Sequence, residues 1–133
     1  MTKKIGIILH GATGRICSNQ HLANSLIPIR TEGGLVIAGE TVIPDLILIG
    51  RNKQKLKEIA QVNNVKNWTT DLETALADPN YSIFFDGAAT HARFQLLKSA
   101  VAAKKHIYTE KPVAPSVADG LKILQSIEEM GLK

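Results

Sequence analysis

A continuous apolar run that leads directly into a glycine-containing turn constrains this chain more than any other feature of its sequence. Residues 5–9 read Ile-Gly-Ile-Ile-Leu, without the polar alternation of a half-exposed strand. His10-Gly11-Ala12-Thr13-Gly14 follows, and from about Arg15 to Arg30 apolar residues recur at helical spacing. An uninterrupted apolar strand is typical of a parallel sheet that is covered on both faces. The order of strand, turn and helix therefore predicts the start of a βαβ unit.

The same alternation of strand and helix continues along the chain. Further apolar runs occupy residues 46–49, 82–86 and 106–109, and each precedes a segment with helical periodicity. Residues 65–68 leave room for a short strand, and the glycine-rich residues 31–45 predict a small hairpin at the edge of the sheet. We expect an α/β fold with a doubly wound, Rossmann-like parallel sheet and right-handed crossovers.

Polar residues in front of three predicted helices are typical of N-caps. Asn52 and Ser116 each precede a helix, and Thr70 with Glu73 predicts a capping box for a brief helix between them. The last helix ends at Gly131. Its apolar residues at helical spacing predict one buried side, formed by Val117, Leu121, Leu124 and Ile127.

The charge and hydropathy patterns argue against two classes of partner. The net charge is +4, but Lys53, Lys55 and Lys57 lie on one predicted helix and are interpreted as a solvated surface. The chain has no basic motif with interleaved aromatic residues, so we expect no nucleic-acid partner. No apolar run approaches the roughly 18 residues of a membrane span, and no signal-peptide core follows Met1, so we expect no membrane partner.

Cysteine and histidine usage predicts neither a disulfide framework nor a metal site. Cys17 is the one cysteine, so no intramolecular disulfide can form. The four histidines lack the spacing of metal ligands, and we expect no metal. A reducing, cytoplasmic location fits this usage.

The turn after the first strand is a candidate binding site for a dinucleotide. One glycine permits a tight turn, the next lets the backbone approach a pyrophosphate, and the following helix offers unpaired N–H groups and the positive end of its dipole. Cys17 occupies the third position of the fingerprint, where a small side chain lets helix and strand pack closely. The alternative is a plain turn without a ligand. The cofactor-binding residues predicted here are Gly11, Ala12, Thr13, Gly14, Arg15 and Ile16.

The residues after the second main strand favour NADP over NAD. In a dinucleotide site, an acidic residue at this position accepts hydrogen bonds from the ribose 2′-hydroxyl of NAD. This chain has Gly50-Arg51-Asn52 instead. A guanidinium pairs with a 2′-phosphate, and no carboxylate is present to repel it. We therefore predict that Arg51 and Asn52 bind the cofactor, with NADP preferred and NAD as the second choice; the alternative is that Arg51 is an ordinary surface arginine.

Residues 103–114 carry a resemblance to a known family. They read Ala-Lys-Lys-His-Ile-Tyr-Thr-Glu-Lys-Pro-Val-Ala, a lysine-histidine strand that runs into Glu-Lys-Pro. Together with the glycine turn, Thr70-Asp71-Leu72 and the strand ending at Asp86, this stretch resembles the N-terminal domain of the glucose-fructose oxidoreductase and inositol dehydrogenase family (Gfo/Idh/MocA). The matches occur in order along the whole chain.

The resemblance implies roles for Glu110 and Lys111. It places the nicotinamide over Glu110-Lys111-Pro112, makes Lys111 the catalytic residue near the substrate carbon that gives or takes hydride, and has Glu110 orient the lysine and contact the nicotinamide ribose. A lysine with its ordinary pKa of about 10.4 is too basic to shuttle protons near neutrality, and burial beside a cationic nicotinamide would lower that pKa. The alternative is that Glu110 and Lys111 form an exposed charged pair.

The loop after the predicted strand at residues 82–86 departs from the family pattern. The family commonly has a Thr-Pro pair there and a histidine a few residues later, whereas this chain has Ala88-Ala89 and, near the histidine position, Arg93. We expect Ala88, Ala89 and Thr90 to approach the dinucleotide through backbone and small side chains. His91 is a weaker candidate acid or base, because no second motif anchors it.

In the family, a sixth strand and a substrate-binding domain follow the last helix. The length of 133 residues predicts a single domain. The resemblance implies that residues 1–133 form the dinucleotide-binding domain, which we expect to be inactive alone. We therefore expect a fragment of a homo-oligomeric oxidoreductase whose missing domain binds a sugar, polyol or related small molecule. Two alternatives stay open. Gly11-Ala12-Thr13-Gly14-Arg15 is also similar to dihydrodipicolinate reductases, and a Rossmann domain can serve as a non-catalytic dinucleotide sensor.

Overall fold

A computed structural model describes residues 1–133, and its centre is a six-stranded sheet. Five strands run parallel: β3, β1, β5 and β6 lie side by side in this order, and β4 pairs with β3. β2 pairs antiparallel with β3. This order confirms the doubly wound, Rossmann-like fold. The strands are β1 (Thr2–His10), β2 (Leu35–Ile37), β3 (Glu40–Ile49), β4 (Asn67–Thr69), β5 (Tyr81–Asp86) and β6 (His106–Thr109).

Helices connect the strands, as the alternation predicts. After β1 the helix begins at Arg15, has π-helical hydrogen bonding over Cys17–Leu26, and continues into α1 (Ile27–Thr31). No helix is long and apolar enough to cross a membrane. The other helices are α2 (Lys53–Val62), α3 (Leu72–Ala77), α4 (Thr90–Ala102) and α5 (Val117–Glu129).

The parallel strands end side by side, and this alignment positions the candidate site. His10 at the end of β1 is in register with Ile49 of β3 and with Asp86 of β5, and Asp86 is in register with Thr109 of β6. Ligands of open α/β sheets bind beyond the carboxyl ends of the strands, at the point where the strand order reverses. Here β1 lies between β3 and β5, so the strand order reverses next to β1.

The predicted hairpin is confirmed at the outer edge of β3. β2 pairs antiparallel with residues 40–42, and the turn between the strands has positive φ at Ala38 and Gly39. β4 pairs in parallel with residues 47–49, so the outer edge of β3 is unpaired between these two segments. Pro44 lies in this gap, where its missing N–H removes no hydrogen bond from the ladder.

Both faces of the sheet are covered, which explains the uninterrupted apolar run in β1. Ile7 and Leu9 belong to a core cluster under the π-helical segment and α2, whereas Ile8 belongs to a second cluster under α3, α4 and α5. Successive side chains of a strand point to opposite faces, so a strand covered on both sides needs apolar residues throughout.

The buried side predicted for α5 is wrong for three of its four residues, Val117, Leu121 and Leu124. Ile123 is the buried residue of this helix at 2% exposure, whereas Leu121 and Leu124 are 59% and 50% exposed and Val117 is 81% exposed. Ile123 packs with Leu97 of α4, and Ile127 lies partly buried against the same cluster. Helical periodicity groups residues that share a face, but two overlapping apolar faces exist here, and the contact with α4 decides which one is buried.

The predicted capping box of α3 is also wrong, since Asp71 and not Thr70 is the N-cap. Asp71 accepts hydrogen bonds from the Thr74 N–H at 3.2 Å and from the Thr74 hydroxyl at 2.6 Å. A carboxylate is a stronger acceptor than a hydroxyl for the free N–H groups of a first turn. The N-caps predicted at Asn52 and Ser116 are confirmed.

A buried lysine anchors the turn that precedes β5. The ammonium of Lys105 donates hydrogen bonds to the carbonyl oxygens of Asp78 at 2.8 Å and Tyr81 at 2.6 Å. Burial lowers the pKa of this ammonium, and the nearby Asp78 carboxylate partly offsets the effect. Lys105 therefore joins the start of β6 to the start of β5. This contact lies at the amino-terminal ends of the strands, opposite the candidate site.

We expect Lys105→Ala to destabilise the fold by about 2–4 kcal/mol, because it removes two charge-assisted hydrogen bonds and leaves the Asp78 carbonyl with only the weaker bond from the Tyr81 N–H at 3.3 Å. Urea unfolding measures the loss. Lys57→Ala, on the exposed surface of α2, removes the same charge and should change the stability by less than about 0.5 kcal/mol. Equal stability of the two variants would refute the anchoring role of Lys105.

Candidate functional site

A cleft of about 410 Å³ lies at the carboxyl end of the sheet, where β1, β3 and β5 end together. The turn after β1, the end of β3 and the loop that leads into α4 form its walls. Its position is the one that the strand order predicts for a ligand. The residues that line it are His10, Gly11, Thr13, Gly14, Gly50, Arg51, Gly87, Ala88, Ala89, His91, Ala92 and Leu96.

The glycine turn is held against two neighbouring strands. The N–H groups of Gly11 and Ala12 both donate to the Ile49 carbonyl at 3.0 Å, which ties the turn to the end of β3. Gly11 has a φ of 80°, and a Cβ atom built on it would lie 2.7 Å from the backbone nitrogen of Ala88. Only glycine combines this conformation with so close an approach. The turn therefore packs backbone to backbone against the loop after β5.

The small residue at the third fingerprint position has a clear packing role. A Cβ built on Gly87 would lie 2.7 Å from the Cys17 sulfur, and the buried thiol donates to the His10 carbonyl at 3.6 Å. Burial, with smaller contributions from the carboxylates of Asp86 and Glu110, raises the pKa of this thiol to about 12. A larger side chain would separate the first helix from the loop at Gly87. Cys17 thus acts as a small packing residue.

The structure places the six residues predicted around the glycine turn in three groups. Gly11, Thr13 and Gly14 line the cleft. Ala12 is fully buried and does not line the cleft. Arg15 and Ile16 are exposed at the beginning of the helix, next to the cleft but outside its lining.

Arg51 lies at the rim of the cleft, as the sequence predicts. It directly follows β3 and is exposed, and it lines the cleft next to Gly50. A Cβ on Gly50 would lie 2.8 Å from the Thr13 methyl carbon, so the end of β3 and the glycine turn are in contact. Asn52 uses its side-chain oxygen to cap α2, accepting from Lys55 N at 3.0 Å, and does not line the cleft.

The loop before α4 forms the wall opposite Arg51. Ala88 and Ala89 line the cleft together with His91, while Thr90 begins α4 just outside the lining. His10, Ala92 and Leu96 also line the cleft, and none of them was predicted. His10 is the last residue of β1, whereas Ala92 and Leu96 lie on α4 and reach the cleft through the packing of this helix on the sheet, which no local pattern encodes.

A buried ion pair lies beneath this loop. Arg93, at 2% exposure, donates from Nε to the fully buried Asp86 carboxylate at 2.7 Å. The other Asp86 oxygen accepts from the Ala88 N–H at 3.0 Å and lies 3.4 Å from His10 Nδ1. Burial alone would raise the pKa of Asp86, but the hydrogen bonds from His10, Arg93 and Ala88 outweigh it and lower that pKa. The carboxylate therefore stays ionised beside the guanidinium.

The remaining donors of Arg93 reach two loops. Nη2 donates to the Ala88 carbonyl at 2.7 Å, and Nη1 donates to the Pro112 carbonyl at 2.5 Å. Arg93 thus joins the loop after β5 to the segment after β6. In the sequence, Arg93 stands out only as a departure from the family pattern. An arginine among the apolar positions of a predicted helix is the one signal that could have indicated a buried pair.

The Glu110-Lys111 segment lies beyond the cleft lining. Glu110 accepts a hydrogen bond from His21 Nε2 on the π-helical segment at 2.5 Å, and the bond from His21 lowers the pKa of this carboxyl. The Lys111 side chain is exposed, and its backbone N–H donates to the Glu110 carboxylate at 3.3 Å.

The donors of the cleft fit a dinucleotide. The glycine turn leads into the N-terminus of a helix, where backbone N–H groups and the helix dipole favour a diphosphate. Arg51 adds a cation at the end of β3, and Ala92 and Leu96 add apolar surface. No group of three or more His, Cys, Asp or Glu side chains is placed to hold a metal ion.

This fold and this cleft define a Rossmann-type dinucleotide-binding domain. A family model described as an oxidoreductase family with an NAD-binding Rossmann fold matches residues 5–133. The chain therefore belongs to the Gfo/Idh/MocA oxidoreductase family. It is 37% identical over 135 residues to D-xylose dehydrogenase from Paenarthrobacter nicotinovorans, and the match covers 99% of this chain and 35% of that protein. The chain thus spans about a third of the length of this relative.

Solved structures share the fold at lower identity. A levoglucosan dehydrogenase in complex with NADH and levoglucosan has a TM-score of 0.78 and 19% identity, over 98% of this chain and 34% of that chain. A putative NADPH-dependent oxidoreductase from Desulfitobacterium hafniense has a TM-score of 0.71 and 19% identity, over 98% and 33% of the two chains. At these identities the likeness supports the fold.

We expect Gly11→Ala to destabilise the chain more than Gly39→Ala. Both glycines have a φ near 80°, but a Cβ on Gly39 meets no atom within 4 Å, whereas a Cβ on Gly11 collides with Ala88. Gly39→Ala should cost about 1–2 kcal/mol for the left-handed conformation, and Gly11→Ala should cost about 1–3 kcal/mol more for the overpacking. Thermal unfolding measures both, and equal losses would mean that the two loops can separate without cost.

Proposed function

We propose that this chain is the cofactor-binding domain of a dehydrogenase or reductase that transfers hydride between NADP and a sugar, polyol or related hydroxyl/carbonyl substrate. One observation carries the proposal: in a chain of this oxidoreductase family, a cleft bounded by a glycine turn and Arg51 lies at the switch point of the sheet. The cofactor-binding residues proposed are those predicted from the sequence, and residues 1–133 are proposed to form a single domain.

Arg51 supports the choice of NADP over NAD. Its guanidinium is exposed at the rim of the cleft, directly after β3, where the adenosine ribose lies in a Rossmann domain. The cleft lining contains no Asp or Glu that would repel a 2′-phosphate. NAD is the alternative, and the relatives differ: one solved structure is a complex with NADH, and another is described as NADPH-dependent.

Lys111 is proposed as the residue that exchanges a proton with the substrate oxygen. When bound, the nicotinamide supplies the hydride acceptor or donor, and oxidation of a hydroxyl to a carbonyl also requires that its proton leave. The Lys111 ammonium group is exposed at the carboxyl end of β6, free to face a substrate. A substrate domain closing over it would exclude water from the reacting groups.

The rest of the enzyme is proposed to lie outside these residues. The match covers 35% of D-xylose dehydrogenase, which leaves room for a substrate domain in a longer protein. The printed names of D-xylose dehydrogenase and levoglucosan dehydrogenase support a sugar-like substrate. We further propose a homo-oligomeric, cytoplasmic protein that has no nucleic-acid or membrane partner.

Calorimetric titration of this chain with NADP and with NAD, at one salt concentration, tests the cofactor choice. We expect tighter binding of NADP, and we expect Arg51→Ala to weaken NADP binding by about tenfold to a hundredfold, because a charge-assisted hydrogen bond contributes about 1.5–3 kcal/mol. NAD affinity should change little. Lys57→Ala removes the same charge away from the cleft and controls for nonspecific attraction of the phosphates.

Each other outcome of the titration has a definite meaning. Tighter binding of NAD would keep the dinucleotide site and refute the NADP preference. Equal weakening of NADP and NAD by Arg51→Ala would mean that the arginine contacts the shared diphosphate. If neither dinucleotide bound to this chain or to the full-length protein, the proposed function would be wrong.

Lys111→Ala in the full-length enzyme tests the catalytic role. We expect kcat to fall by about a hundredfold or more, since a positioned general acid or base contributes about 10²–10⁴-fold. The cofactor affinity should be retained, as measured by the same titration. Lys122→Ala, on the exposed surface of α5, is the matched control and should leave turnover unchanged. Unchanged kcat in Lys111→Ala would remove this residue from the mechanism.

A further inference from the structure

Lys111 has no partner for its ammonium group, yet the residues on both sides of it are anchored by side chains from other elements. Glu110 precedes it and Pro112 follows it, and each receives a hydrogen bond from a different helix. The backbone position of Lys111 is therefore set by its two anchored neighbours and not by its own exposed side chain. The two anchoring residues are His21 and Arg93.

His21 fixes the Glu110 side. Its Nε2 lies 2.5 Å from Glu110 Oε1, and its ring packs against Phe85 with ring centroids 4.8 Å apart. The Glu110 N–H also donates to the Asp86 carbonyl at 3.0 Å, which joins its backbone to the end of β5. The carboxylate is therefore held by a histidine whose ring is itself packed against the sheet.

Arg93 fixes the Pro112 side. Its guanidinium uses Nε for Asp86, Nη2 for Ala88 and Nη1 for Pro112, so that one planar group joins β5, the loop before α4 and the segment after β6. The guanidinium is almost fully buried, and its plane is fixed by the ion pair with Asp86. The Pro112 carbonyl is consequently held at a set distance from Ala88, which lines the cleft.

We propose that His21 and Arg93 are positioning residues that together fix the backbone of Lys111 relative to the cleft. The inference rests on the proposed function, in which Lys111 acts on the substrate. Catalytic groups must be held close to their productive geometry, and a displacement of about 1 Å can cost about a hundredfold in rate. The role is distinct from general stabilisation, because it predicts loss of turnover with cofactor binding retained.

The variants separate the two anchors from their other contacts. His21→Phe keeps a ring against Phe85 and removes the donor to Glu110, while His21→Gln restores a donor. Arg93→Lys keeps a cation for Asp86 but cannot also donate to both carbonyls. Arg30→Lys is the matched control, because Arg30 also donates to a backbone carbonyl, that of Asn64 at 3.0 Å, away from the cleft.

Two readouts are needed. In this chain, ¹⁵N relaxation gives the order parameters of the Glu110, Lys111 and Val113 amides. We expect them to fall from about 0.85 toward or below about 0.6 in His21→Phe and Arg93→Lys. In the full-length enzyme, we expect kcat to fall by about tenfold to a hundredfold in both variants, with far smaller changes in the Kd of NADP. His21→Gln should recover most of both properties, and Arg30→Lys should alter neither.

Unchanged order parameters in both variants would overturn the proposal, and so would unchanged kcat. A fall in kcat without added motion of Lys111 would also overturn it, since the anchors would then act by another route. If Arg93→Lys failed to fold, the comparison of His21→Phe with His21→Gln would decide the matter. A parent enzyme without turnover would refute the proposed function, and the order parameters would still show whether the anchors hold the segment.

Discussion

The buried ion pair of Asp86 and Arg93 is the interaction on which the arrangement of loops at the carboxyl ends of the strands depends. A buried charge without its partner is strongly destabilising, so the carboxylate and the guanidinium each require the other. Because Asp86 ends the strand next to β1 and Arg93 has two further donors, the pair also sets the positions of Ala88 and Pro112. The Arg93 guanidinium therefore joins the loop after β5 to the segment after β6.

Close backbone packing forms the floor of the cleft above this ion pair. Gly11 approaches Ala88, and Cys17 approaches Gly87, at distances that leave no room for larger side chains. The turn after β1 can thus lie in the narrow space between β3 and β5, with the beginning of its helix open to the cleft. A diphosphate at this point would contact backbone N–H groups, whose positions the sheet determines. Arg51 adds a side-chain cation at the rim.

Local sequence patterns identified site residues that directly follow a predicted strand. Gly11, Gly14 and Arg51 follow apolar strands, and the carboxyl ends of parallel strands necessarily meet at one edge, so their proximity could be predicted. His10 and His21 were not predicted. The contact of His21 with Glu110 joins residues far apart in the sequence, and it depends on how the first helix packs on the sheet. No local pattern in one sequence encodes such a pair.

The sequence by itself determined the order of strands and helices, the parallel sheet and the place of the glycine turn. These depend on apolar periodicity and turn chemistry, which act over a few residues. Only the tertiary structure decided that Ile123 and not Leu121 is the buried residue of α5, and that Arg93 lies beneath the cleft. Burial and ion pairing are properties of the space between elements. A side chain's neighbours in that space come from distant parts of the chain, and the sequence near the residue does not specify them.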